Sequence, residues 1–137
     1  MSSHRSFLQW FSGTLPLALI LFSGGAHAQA TTAADQIASL VAQSGQPAVA
    51  ARGQEFFTSK HGRDWSCSTC HTARPTVEGK HASTGKVIAP MAPAFNALRF
   101  TDAAKTEKWF RRNCNDVVGR ECSPAEKADV LTWLLSL

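Results

Sequence analysis

The feature that most constrains this chain is the pentad Cys67-Ser68-Thr69-Cys70-His71. Two thiols three positions apart on a turn, with a histidine directly after the second, form the pattern for covalent haem attachment. Each thiol can add to a different vinyl group of the porphyrin, and the adjacent histidine then reaches the iron with a ring nitrogen as proximal ligand. Other uses of a Cys-x-x-Cys pair fit worse. A thioredoxin-like redox pair sits in a βαβ context, and the sequence shows none. A zinc site needs a second closely spaced pair, whereas seven residues separate Cys114 from Cys122. A disulfide within Cys67–Cys70 would close a small, strained ring.

The N-terminus sets the compartment. Arg5 lies in a short polar segment, Leu15 to Phe22 form an apolar run, and small residues lead to Ala26-His27-Ala28 and Ala28-Gln29-Ala30. Either triplet fits a signal-peptidase site. The apolar run is far shorter than the roughly 20 residues that cross a bilayer. Residues 1–28 therefore read as a signal peptide, with the rest of the chain exported to the periplasm. In an oxidising compartment cysteines are bridged or otherwise covalently used. With Cys67 and Cys70 given to haem, Cys114 and Cys122 are left to form a disulfide around the loop Asn115 to Glu121.

Of the 137 residues, 109 remain after residue 28, enough for one domain with a marginal core. A staple and a buried porphyrin both help a chain of that size. The formal charge of +4 is modest, and basic and acidic residues are interspersed from Arg52 to Lys127, which argues against a nucleic-acid interface.

The patterning is helical, and the expected fold class is all-α. Ile37, Leu40 and Val41 mark a weakly amphipathic helix over residues 32–44. Pro47 suits the start of a second helix that carries Gly53, Phe56 and Phe57 to about Lys60. From Gly62 to Arg99 breakers predominate, with Pro75, Gly79, Gly85, Pro90 and Pro93. So long an irregular stretch needs something to pack against, and a cofactor serves. Thr101 is the expected cap of a third helix running toward Asn113. Ser123-Pro124-Ala125-Glu126 is a complete capping box for a last helix whose Leu131, Leu134 and Leu135, with Trp133 beside them, reach the C-terminus.

These residues resemble the class I cytochrome c fold, in which the N- and C-terminal helices cross around one covalently bound haem. There a glycine allows close approach and aromatics fill the contact, roles that the resemblance assigns to Gly53, Phe56, Phe57, Trp133 and Leu134. Val87-Ile88-Ala89-Pro90 likewise resembles the segment whose prolyl carbonyl orients the proximal histidine, which implies that Pro90 serves His71. The chain divides on this reading into the signal peptide (1–28), an N-terminal helical extension (29–51) and a monohaem cytochrome c domain (52–137).

The sixth iron ligand separates the possible functions. Met91 is the one methionine left after residue 28, but it follows Pro90 directly and lies only twenty residues after His71. His61 and His81 sit among polar residues. Asn113 shares a helical face with Trp109 and Phe110, although an asparagine at a helix end is often a left-handed cap. On spacing alone the cap is the better reading.

A resemblance to the sphaeroides haem protein family, oxygen-binding class I cytochromes c with an asparagine distal ligand, changes that balance. It rests on the haem pentad, Thr84 to Pro90, Arg99-Phe100-Thr101-Asp102, Glu107-Lys108-Trp109, Arg112-Asn113-Cys114-Asn115, Gly119-Arg120 with Cys122, and Glu126-Lys127-Ala128-Asp129. The resemblance implies that Asn113 binds iron together with His71 and that the reduced protein binds O2 or another small diatomic gas. It also implies electron donors, a dihaem cytochrome c and a membrane b-type cytochrome. Lys86, Arg99 and Trp109 are candidates to hold the haem propionates through charge or the indole N–H. Two alternatives stand beside this reading: a plain electron carrier with His71/Met91 ligation, and an oxidoreductase that consumes oxygen or nitric oxide.

Overall fold

The structure, a computed structural model, describes residues 30–137. The signal-peptide reading of residues 1–28 lies outside them. The described chain is all-α in plan, five helices and one short hairpin.

α1 spans Ala33–Ser44. Thr32 caps it: its hydroxyl accepts from the Asp35 N–H at 3.1 Å, and the Asp35 carboxylate accepts from the Thr32 N–H at 2.9 Å. Ile37, Leu40 and Val41 are half-buried, while Ala33 and Gln36 are the buried residues of the helix. Gly45 ends it in the left-handed conformation at φ 66°.

α2 spans Ala50–Thr58, starting later than Pro47 and ending before Lys60. The cause of the late start is tertiary. The N–H of the N-cap residue Val49 is taken at 2.6 Å by Asp129 Oδ1, a carboxylate from the last helix. Arg52 closes the arrangement, with Nε 2.7 Å from Asp129 Oδ2.

α3 is the pentad itself, Cys67–His71. The strands β1, Gly79–Lys80, and β2, Val87–Ile88, pair antiparallel with Gly79 opposite Ile88 and Lys80 opposite Val87. No strand was expected here, because two residues per strand are too few to display a period of two.

α4 spans Ala103–Val117. Its cap is Asp102, whose carboxylate accepts from the Lys105 N–H at 2.9 Å, in place of the expected Thr101. Thr101 instead offers its carbonyl to the Thr31 N–H at 3.1 Å. The helix also runs four residues beyond Asn113, so the left-handed-cap reading of that residue is corrected. Gly119, at φ 81°, takes the left-handed position, with its N–H on the Cys114 carbonyl at 3.0 Å.

α5 spans Pro124–Leu135 and begins as the capping box dictates, with the Glu126 N–H on the Ser123 hydroxyl at 3.2 Å and the Ser123 N–H on the Glu126 carboxylate at 2.8 Å. Leu131 and Leu134 are fully buried, but Leu135 is 45 % exposed and does not share their face. α5 is the central element: α1 and α2 both pack on it. The core cluster is Phe57, Val130, Trp133 and Leu134, with the Phe57 and Trp133 rings 5.0 Å apart.

Candidate functional site

Local capping shapes the pentad. Ser66 precedes α3 in extended conformation, and its N–H donates to the Thr69 hydroxyl at 2.9 Å. One turn of helix then carries Cys67 and Cys70, both free thiols and both half-buried, followed at once by His71. Thr72 stops the helix at φ 68°, an unfavourable value for a β-branched residue. Its hydroxyl donates to the Arg74 carbonyl at 2.9 Å, which ties the turn down directly after the histidine.

The hairpin buttresses this turn. A Cβ on Gly79 would lie 2.1 Å from the Cys70 carbonyl oxygen, so only glycine allows β1 to cross the end of α3. The Ala82 N–H donates to Cys70 Sγ at 3.3 Å. Gly79 was visible in the sequence only as one breaker among several, and nothing there marked its contact with the pentad.

Burial sets the protonation of the donor groups. The Cys67 thiol is pushed up to about 11, chiefly by burial. The His71 imidazole is pushed down to about 4, first by burial and then by the positive charge of Arg99 and by His81. His71 is therefore neutral at pH 7, the form that ligates a metal. Its ring lies 6.1 Å from that of Phe57, so the pentad abuts the core directly.

Around Pro90 the chain is firmly held. The Pro90 carbonyl accepts from Arg99 Nε at 2.8 Å and from Asn96 Nδ2 at 3.2 Å, and Arg99 also bonds the Ala89 carbonyl. Arg99 thus clamps the Ala89-Pro90 backbone and sits close enough to His71 to depress its protonation. Asn96 escaped the reading of the sequence, since a lone asparagine in a loop carries no distinguishing signal.

The remaining ligand candidates separate by their surroundings. Met91 is half-buried against the core cluster, its N–H on the Pro75 carbonyl at 3.0 Å. The ring of His61 lies tilted against that of Phe56 at 4.3 Å between centroids, and its Nε2 donates to the Phe56 carbonyl at 2.8 Å. The Nδ1 of His81 accepts from the Ser83 and Thr84 N–H groups at 3.3 and 3.2 Å, which organises the hairpin turn. Asn113 is half-buried on α4, in line with Thr106, Phe110 and Val117, and its carboxamide has no hydrogen-bonding partner among the described residues. The next residue, Cys114, is bridged to Cys122. Lys86 is exposed on the hairpin, and the Trp109 ring is 45 % exposed under the Arg112 guanidinium at 5.7 Å.

This donor set fits a covalently bound haem. Two thiols and a neutral imidazole lie on one turn, and the apolar side chains of Val87, Phe95 and Leu98 are 65 %, 56 % and 82 % exposed in the polypeptide. Two grooves, of about 430 and 480 Å³, open beside α1 and α2 and do not include the pentad. Among the described residues no group of three or more His, Cys, Asp or Glu is placed to hold a free metal ion, and no helix is long and apolar enough to cross a membrane.

Comparison with known proteins places the chain among relatives with this chemistry. The family model described as a domain of unknown function, DUF1924, matches residues 43–134. The cytochrome c-type protein SHP of Cereibacter sphaeroides is 48 % identical over 118 residues, covering 83 % of this chain and 91 % of that protein. Cytochrome c'' of Methylophilus methylotrophus is 39 % identical over 127 residues, covering 85 % and 88 %. The structure of oxidised SHP, described as an oxygen-binding cytochrome c, superposes with a TM-score of 0.75 over 79 % of this chain and 99 % of that one. The crystal structure of oxidised cytochrome c'' superposes with a TM-score of 0.68 over 76 % and 93 %, at 38 % identity.

Proposed function

Because the chain belongs to the sphaeroides haem protein family of c-type cytochromes and carries one covalently bound haem c, we propose that it is a periplasmic redox protein that binds a small diatomic gas when reduced. When bound, the haem would supply a redox-active iron able to take such a ligand. Cys67 and Cys70 would hold it through thioether bonds and His71 would offer a neutral ring nitrogen to the iron, while Pro90, whose carbonyl accepts from Arg99 and Asn96, would position the loop beside that ring. Lys86, Arg99 and Trp109 are the residues we assign to the propionates. On this reading residues 1–28 are the export signal, 29–51 the helical extension and 52–137 the haem-bearing domain, and a dihaem cytochrome c and a membrane b-type cytochrome deliver the electrons.

Asn113 carries the proposal. A half-buried carboxamide without a hydrogen-bonding partner among the described residues, beside a disulfide, is available as a distal ligand. Its oxygen is a hard, weak donor that suits ferric iron and holds the softer ferrous iron poorly. Asn113 would therefore be held more firmly by the oxidised than by the reduced iron, and its amide N–H, close by on the disulfide-tethered helix, would be in place to donate to a gas ligand. SHP is described as oxygen-binding, and the solution structure of cytochrome c'' is presented as bearing on haem-ligand detachment; both descriptions support the reading.

Spectra of the holoprotein test it. The oxidised wild type is expected to be six-coordinate and the reduced form to bind carbon monoxide. Asn113→Ala should make the oxidised form five-coordinate and high-spin, with Met91→Ala unchanged. A reduced protein that is six-coordinate and inert to carbon monoxide, or an oxidised site opened by Met91→Ala, refutes the proposal.

A further inference from the structure

We infer that the Glu107–Lys127 ion pair is a positioning device for Asn113, acting through the orientation of α4; the inference rests on the reading of Asn113 as distal ligand. Lys127 lies on α5 with its side chain 10 % exposed, and its Nζ is 2.7 and 2.8 Å from the two carboxylate oxygens of Glu107 on α4. Glu107, Phe110 and Cys114 follow at intervals of three and four residues, so they form one stripe along α4. Each member of that stripe is engaged: Glu107 by Lys127, Phe110 by the core cluster, and Cys114 by its disulfide to Cys122 just before α5.

The ion pair and the disulfide are seven residues apart on α4, about 10 Å along the helix axis. A helix held at Cys114 alone can pivot and roll about that point. A second attachment two turns away removes both motions. Asn113 stands about 100° around the helix from Cys114, and no hydrogen bond among the described residues fixes its carboxamide. Its direction is therefore inherited from α4. The bonds that precede the helix, Gln36 Nε2 to the Phe100 carbonyl at 2.7 Å and the Thr31 N–H to the Thr101 carbonyl, fix where α4 starts and leave its roll free.

Lysine is rarely so buried unless paired, and well-packed apolar residues commonly hold two helices as firmly as an ion pair does. What this pair adds is a directional contact off the helix axis.

Titration of the oxidised holoprotein with imidazole, which competes for the coordination position assigned to Asn113, tests the inference. Glu107→Gln is expected to raise imidazole affinity about tenfold, toward the lower end of usual coupling between sites. Asn113→Ala should raise it at least as much, and adding Glu107→Gln to that variant should change nothing further. Arg52→Met, which breaks an ion pair between α2 and α5, should leave the affinity unchanged. If Asn113→Ala has no effect, the ligand assignment itself fails. If Asn113→Ala acts and Glu107→Gln does not, or if Arg52→Met acts equally, the positioning role is overturned. Should Glu107→Gln yield no holoprotein, the apolar pair Glu107→Met with Lys127→Met keeps the helix contact and is read against the same outcomes.

Discussion

Gly53 of α2 meets the backbone of Asp129 in α5 so closely that a Cβ on the glycine would lie 2.0 Å from the Asp129 carbonyl oxygen. The same aspartate sends its carboxylate back to the Val49 N–H and to Arg52. One residue of α5 thus serves as the floor of the helix crossing and as the remote cap of α2. The core ring of Phe57, one turn further along α2, owes its place beside Trp133 and His71 to that crossing.

Gly53→Ala is expected to be severe. The added methyl has only backbone to displace, and overpacking against a rigid neighbour costs about 3 kcal/mol or more. Thermal unfolding of the holoprotein should show the loss. An unchanged melting temperature would mean that the helices do not cross at this point.

Asp129→Ala removes the remote cap and the partner of Arg52, which is half exposed and can turn to solvent. A loss of about 2 kcal/mol follows, the upper range for a helix cap. Hydrogen exchange gives the sharper readout, because the Val49 amide should lose protection selectively while the α1 amides retain theirs.

Replacing Cys114 and Cys122 together by serine opens a loop with a sequence separation of 8 residues. The chain-entropy relation puts the cost at about 2.5 kcal/mol, measurable by chemical denaturation. On the function proposed here, the same variant should also bind imidazole more tightly in the oxidised state.

The Arg120–Glu126 pair gives a signed pH dependence. Arg120 bonds both carboxylate oxygens, at 2.8 and 2.6 Å, and together with the Ser123 N–H holds the Glu126 carboxyl below its ordinary value of 4.5. The folded state therefore releases this proton more readily than the unfolded chain. The stabilisation is present above pH 4.5 and fades as pH falls through the lower folded value. Glu126→Gln should melt below wild type at pH 7, with the gap closing progressively under pH 4.5. A gap that stays constant down to pH 3 would show that the charge contributes nothing.

The local signals in the sequence were dependable where a few neighbouring residues decide the outcome. Ser123-Pro124-Ala125-Glu126 starts α5 as written, and Cys114 and Cys122 are paired. Gly53 was legible as a crossing point because the resemblance supplied its neighbour. Misplacements occurred where the partner is remote. α2 begins at Ala50 and not at Pro47 because a carboxylate eighty positions further along the chain takes the Val49 amide. Thr101 yields the cap of α4 to Asp102 because its carbonyl is drawn to Thr31.

Taken by itself, the sequence determined the covalent chemistry and one helix start: two thiols and an imidazole on one turn, a second cysteine pair, and the capping box that begins α5. These follow from bonds and hydrogen bonds that span a few residues, so spacing is sufficient to encode them. Only the tertiary structure decided that Gly79 underlies Cys70, that Arg99 clamps Pro90 beside His71, and that Lys127 of α5 reaches Glu107 of α4. Such contacts join residues far apart in the chain, and whether they form depends on burial and charge at a place that exists only after the helices have packed.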